Sequence, residues 1–322
     1  MGPLIAKLLA AALAALPLAA MAQDWAPSKP IRVIVPVVGG TVDALARLVQ
    51  PKLQEAWGQS VVVETKAGAG GNIGADFVAK SPGDGHTVLV AFTAPITVNP
   101  ALYGNLPYDP LKDLAPIVLA VTAPQYLVIH PGVAAETVAE FIALAKANPG
   151  KLNYGSIAVG GASHLTMEML KAAAGVDLIH IPYKGPGPTI TDLLGGQIQA
   201  SFLIAGNALP HIRTGKMKAL ASTGRTRFAS TPNVPTMIEA GFADFEAVGW
   251  IGLMAPGATP RPIVDRWNRE LLRIIALPDV RSRLLAMEFE IIGSTPEKFA
   301  EYIRWETPRW GKVVRDTGAK AQ

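Results

Sequence analysis

The chain has no cysteine. No disulfide can staple it, so a buried core must supply its stability. Charged residues make up only 17% of it, and no run of five or more Lys and Arg occurs. The formal charge of +4 is therefore thinly spread. That argues against a nucleic-acid stripe and favours a small anionic partner. Beyond the first 22 residues no apolar run is long enough to span a membrane. There is no Walker pattern, no H-E-x-x-H and no thiol nucleophile. The five histidines, His86, His130, His164, His180 and His211, are too far apart in sequence for a local metal pair. Neither a metal nor a cofactor is expected.

What is present begins with MGPLIAKLLAAALAALPLAAMA. Lys7 is its one charge, an apolar run follows, and Ala20-Met21-Ala22 makes a small-x-small cleavage site. This reads as a secretory signal peptide over residues 1–22. A membrane anchor fits less well, because the apolar run is short and holds Pro17. The mature chain then begins near Gln23 with a charge of +3. Its length of about 300 residues favours two domains over one.

The mature chain alternates short β-rich runs with helix-like segments. Strands are expected at residues 31–35, 60–64 and 87–93, then at 125–130, 152–154, 178–182, 198–203 and 217–222. Between the two sets, residues 95–116 form a long Pro/Asn/Tyr/Asp-rich connection. A helix starting near Val42 contains Pro51, which should kink or split it. Others cover residues 137–147, 165–174, 188–194 and 262–275. In the last, Ile263, Val264, Trp267, Leu271 and Ile274 share one face. Ser294 and Glu297 stand in capping-box spacing ahead of a final helix. Alternation of this kind predicts parallel sheets flanked by helices. With no third sheet visible, the C-terminal helices should pack back on the first domain. The chain would cross between domains near residues 123 and 249, a hinge for two closing lobes.

The stretch AGAGGNIGADFVA (residues 67–79) follows a strand and resembles a dinucleotide turn. The strict G-x-G-x-x-G spacing fails at Ile73, and the next strand lacks the acidic residue that would hold a ribose. Ser163-His164 suggests a nucleophile and base, but Leu165 stands where the second glycine of a G-x-S-x-G elbow belongs. Four loops after strands are instead rich in glycine and hydroxyls: Gly39-Gly40-Thr41, residues 67–72, Gly155-Ser156 and residues 160–163. Backbone N–H groups at helix N-termini make such loops cradles for a carboxylate. In open α/β sheets ligands bind at that end of the strands. One such loop needs no function, but four in two lobes point to a shared cleft.

Several segments then occur in a telling order: IRVIVPVVGGTVDALARLV, VVVETKAGAGGNIGADFVAKSPGDGHTVLV, NPALYGNLPYDPLKDLAPI, LNYGS, HIPYKGPGPTITDLLGGQI, LPHIRTGK and WIGLMAP. Together they resemble the Bug, or TctC-like, family of periplasmic solute-binding proteins of tripartite tricarboxylate transporters. The resemblance spans nearly the whole mature chain. It implies an α/β chain with the type II periplasmic-binding-protein fold, two α/β lobes joined by a double-crossover hinge. The lobes would comprise residues 23–123 with 249–322, and residues 124–248. It implies capture of a small carboxylate and delivery to integral-membrane transporter subunits, by a monomer in the periplasm with no nucleic-acid partner and no catalysis.

Carried over by residue, the resemblance gives Gly39, Gly40, Thr41, Asp43 and Thr93 to one wall of the site. Ser156, Gly160, Gly161, Ala162, Ser163 and His164 form the other, with Lys184 in a Y-K-G turn. The loop P-V-V-G-G-T-V-D is one residue shorter than the family's usual form. Leu203 stands where many relatives carry an aspartate suited to a ligand ammonium group. This predicts a ligand without an amino group, its apolar or aromatic body near Leu203 and Ile204. Two other functions fit the same fold. One is a ligand sensor or adaptor for a two-component system, and the other is a hydrolase using Ser163 and His164.

Overall fold

A computed structural model describes residues 25–157, 161–183, 185–228, 230–243 and 245–319. The expected signal peptide at residues 1–22 and the expected site residues Gly160 and Lys184 lie outside them. In chain order the elements are β1 (Ile31–Val35), α1 (Gly40–Trp57), β2 (Val61–Thr65), α2 (Asn72–Ala79) and β3 (Thr87–Phe92). A π-helical turn (Ala94–Val98), α3 (Asn99–Leu102) and β4 (Leu114–Ala123) lead to β5 (Gln125–Ile129). Then follow α4 (Val138–Ala147), β6 (Asn153–Ile157), α5 (Ala162–Ala174), β7 (Ile179–Tyr183), α6 (Pro186–Leu194), β8 (Ala200–Ile204), α7 (Ala205–Arg213) and β9 (Lys218–Ser222). The chain ends with β10 (Gly249–Pro256), α8 (Arg261–Ala276), α9 (Pro278–Ala286), β11 (Glu290–Ile291) and α10 (Pro296–Thr317).

Two sheets result, ordered β11-β4-β10-β3-β1-β2 and β7-β6-β8-β5-β9. Both are mixed, not purely parallel as the alternation predicted. The crossing segments explain why. β4 leaves the first sheet and only Pro124 separates it from β5, which pairs antiparallel with β8 and β9. β10 returns to the first sheet antiparallel to both β3 and β4. A strand that enters from the neighbouring sheet, with no helical crossover of its own, is free of the rule that keeps βαβ neighbours parallel.

Local signals account for most helices. Thr137 caps α4 by accepting the Glu140 N–H at 3.1 Å. Pro51 does not split α1, which runs through it as one 18-residue helix. Pro51 is exposed, so water can reach the carbonyl left without its bond. Ser294 does not cap α10. Its hydroxyl accepts the Leu119 N–H at 3.0 Å, and Thr295 caps instead by accepting the Lys298 N–H.

The C-terminal helices divide their packing. α8 and α9 bury Trp267, Leu271, Ile274, Val280 and Leu284 on the first sheet, as expected. α10 departs from expectation and bridges the lobes. Phe299 and Ile303 pack with Ile34, Leu89 and Trp250 of the first lobe, while Trp310 and Val314 join the core of the second.

The glycine-rich stretch has a packing explanation. A Cβ on Gly74 would lie 2.7 Å from Pro36 Cβ and 2.9 Å from the Lys66 carbonyl oxygen. Glycine lets α2 lie against the end of β1. Gly74→Ala is expected to lower stability by about 1–3 kcal/mol, as overpacking does. An unchanged midpoint in thermal unfolding followed by circular dichroism would refute the assignment.

Candidate functional site

A cavity of about 330 Å³ opens between the two sheets, at the ends of β3, β6 and β8 and beside the crossing strands. From the first lobe Gly39, Gly40, Thr41 and Thr93 line it. From the second come Gly161, Ala162 and Ser163. The structure thus brings seven of the expected site residues around one space. A larger recess of about 400 Å³ lies between α5 and α10, against Met169, Phe242 and Val313. None of the strand-end loops reaches it, so it is not the counterpart of this cleft.

Two helices start at the cavity. α1 follows Gly39 and α5 follows Gly161, and neither has a side-chain cap. Their first-turn N–H groups have no intrahelical partner. Both positive ends of the helix dipoles therefore face the space. Gly39 and Gly40 take φ of 64° and 72° with nothing within 4 Å of a built Cβ, so backbone conformation is what requires glycine there. The Ser163 hydroxyl accepts the Ile157 N–H at 2.9 Å. Its own O–H remains to donate.

Four expected residues stand elsewhere. Leu203 is fully buried, among Tyr126, Val128 and Leu209. Strand alternation turns Phe202 and Ile204 toward the cavity and Leu203 away. The lost aspartate thus says nothing directly about this cavity. Ser156 is fully buried and absent from the cavity lining, its Oγ 2.6 Å from His180 Nε2. His164 stacks on His180 at 4.0 Å, and His180 on Tyr154 at 4.9 Å. Adjacent helix residues point about 100° apart, so His164 cannot share the face of Ser163. Burial depresses both histidines, His180 to about 4 with the neighbouring His164 adding to the effect. Both are neutral at physiological pH. Asp43 pairs with Arg47 at 2.8 Å along α1 and does not line the cavity. The 67–72 loop does not line it either. It backs the wall, with Gly71 pressed against the cavity-lining Phe92.

Among the lining residues that were not expected at the site, two bear on its chemistry. Gln125 is 2% exposed at the start of β5. Its Nε2 donates to Thr166 Oγ1 at 2.9 Å and to the Ala247 carbonyl at 3.2 Å. The carbonyl contact fixes the amide orientation and leaves Oε1 as the unengaged atom. A lone polar residue opening an otherwise apolar strand was the available signal. Trp250 on β10 stood in the quoted WIGLMAP motif without a role. Its backbone N–H donates to Thr93 Oγ1 at 3.1 Å, and the residue is part of the cavity wall. Among the described residues no ionisable side chain does so.

Comparison with known proteins agrees with this architecture. The family model "Tripartite tricarboxylate transporter family receptor" matches residues 45–319. Protein BugT of Bordetella pertussis is 38% identical over 304 residues, covering 94% of this chain and 93% of its own. Among solved structures, the R. palustris protein Rpa4515 with adipate superposes with a TM-score of 0.81 at 31% identity, covering 92% of this chain and 99% of the other. MatC from Rhodopseudomonas palustris with bound malate gives 0.78 at 32%, covering 89% and 99%. The matches run through both sheets and the cleft between them, and the chain belongs to the tripartite tricarboxylate transporter receptor family, the TctC-like or Bug proteins.

Proposed function

We propose that the protein is a periplasmic receptor that captures a small carboxylate lacking an amino group and passes it to a membrane transporter. Its lobes would be residues 23–123 with 249–322, and residues 124–248, and residues 1–22 would direct export. The carrying observation is the cavity itself: two uncapped helix N-termini meet in it, and no ionisable side chain is present among its described lining residues. A carboxylate finds backbone N–H groups and the Ser163 hydroxyl there. An ammonium group would be desolvated without a partner, a cost of several kcal/mol. The relatives solved with adipate and malate support the same class of ligand. Phe92, Phe202, Ile204 and Trp250 supply apolar walls, suited to the carbon body of such an acid. Gly160 and Lys184 would complete the second wall. Catalysis has no support, because His164 is turned into a buried stack and no described lining residue can act as a base for Ser163.

A thermal-shift screen of mono-, di- and tricarboxylates, aromatic acids and amino acids tests this. A ligand at a hundredfold excess over Kd adds about 2.7 kcal/mol of stability. A rise with amine-free acids is expected. A rise with amino acids alone would sink the account of the cavity, and no rise with any acid would sink the receptor reading.

A further inference from the structure

Behind the cavity wall lies a carboxyl group that ligand contact does not explain. Glu306, in the middle of α10, is 3% exposed. Its Oε2 accepts the Trp250 indole N–H at 2.5 Å. Trp310 on the same helix and Thr97 of the π-helical turn also contact the carboxyl group. Trp250 lines the cleft and Trp310 packs in the second-lobe core. Glu306 thus sits where the cleft wall, the post-Thr93 turn and the bridging helix meet.

We propose that Glu306 is a positioning residue of the cleft, whose gain or loss of a proton sets the pose of Trp250 and thereby the affinity for an anionic ligand.

Its charged surroundings are sparse. Glu306 forms no ion pair among the described residues. Arg309, three residues along α10, is the charged group that favours its ionised form. Glu246 and Arg225 act with it around the neighbouring Tyr302. Neither β10, β4, α3 nor the π-helical turn contains an ionisable residue. On α5, Glu168 is paired with Lys171 at 2.8 Å, and His164 is held neutral by burial. Burial dominates and pushes the carboxyl up to about 7, against the hydrogen bonds from Trp310, Trp250 and Thr97. The folded protein then keeps a proton that the unfolded chain releases near 4.5. This contribution to stability therefore falls as pH rises from about 4.5 to about 7. A bound carboxylate across Trp250 adds a like charge and raises the carboxyl further. By reciprocity, ligand affinity falls as pH rises through neutrality. That last step rests on the receptor reading above, whereas the titration does not.

Fluorine NMR of the protein labelled with 5-fluorotryptophan tests both. The six tryptophans give six resonances, and Trp250→Phe identifies one. That resonance is expected to titrate with a single midpoint near pH 7, and to be pH-invariant in Glu306→Gln, which keeps an oxygen for the indole. Absence of the titration, or its persistence in Glu306→Gln, overturns the proposal. Should that variant not fold, Trp310→Phe is expected to raise the midpoint by removing a donor to the carboxylate, and an unmoved midpoint overturns it. Adipate is the ligand probe. Its affinity should drop roughly 3-fold or more from pH 6 to 8, and a pH-independent affinity would overturn the coupling. If neither adipate nor any other acid binds while the resonance still titrates near pH 7 and not in Glu306→Gln, the receptor reading fails and Glu306 remains the group that sets Trp250.

Discussion

Trp250→Ala is expected to lower the unfolding free energy by about 3–5 kcal/mol, the range for deleting a buried large aromatic. It is also expected to reduce carboxylate affinity by 100-fold or more. Trp250 is 1% exposed and meets Phe299 edge-on at 5.2 Å. The residue carries three loads at once. It is part of the cavity wall, its ring fills the core between β10 and α10, and its indole N–H satisfies Glu306. Removal leaves a void and a buried carboxyl with one donor fewer. Trp250→Phe separates these effects. It keeps most of the apolar volume and loses the donor, so a smaller cost of about 1–3 kcal/mol is expected. Urea unfolding measures the first quantity and isothermal titration the second. An alanine variant within 1 kcal/mol of the parent would show that neither the packing nor the hydrogen bond matters as argued.

Gln125→Glu is expected to abolish carboxylate binding, by 100-fold or more, with little change in shape. The substitution places a negative charge in a cavity where the described lining residues offer no cation. A like charge in a low-dielectric cleft costs several kcal/mol. It also removes the amide N–H groups that Thr166 and Ala247 accept. Ala247 keeps its bond from Thr223 Oγ1 at 2.8 Å, so the backbone there is not orphaned. The same change supplies the acidic partner that the cavity lacks, so a gain of affinity for an amine-bearing acid is the accompanying result. The thermal-shift screen repeated on this variant reads both. Retention of carboxylate binding within threefold would mean that Gln125 does not face the ligand.

Legibility varied with the range of the interactions. Eight of the eleven strands were visible, because runs such as IRVIV bury on both faces and carry β-branched side chains, whereas β4, β10 and β11 were not expected as strands. Boundaries shifted by one to three residues, as for β6, expected at 152–154 and found at Asn153–Ile157. Caps were misread by one position at Ser294, since a hydroxyl there found a better partner in a strand 175 residues away. Among candidate site residues, glycines and hydroxyls at the helix starts were placed well. These act through backbone position, which loop spacing sets. Leu203, Ser156 and His164 were not. For Leu203 and His164 the question was which face of a strand or helix meets the other lobe, and one residue of register reverses the answer, while Ser156 stands one residue before Ile157, which lines the cavity.

By itself the sequence determined the α/β class, eight of the strands in their order along the chain and the loops that follow them. Periodicity and turn chemistry are local, and they act before any tertiary contact forms. Only the tertiary structure decided which strands run antiparallel, that α10 spans both cores, and that Gln125, Trp250 and Glu306 converge beside one cavity. Gln125 and Glu306 are 181 residues apart in the chain. Residues that distant meet only when both sheets have formed and a helix has packed across them, and no local pattern encodes that meeting.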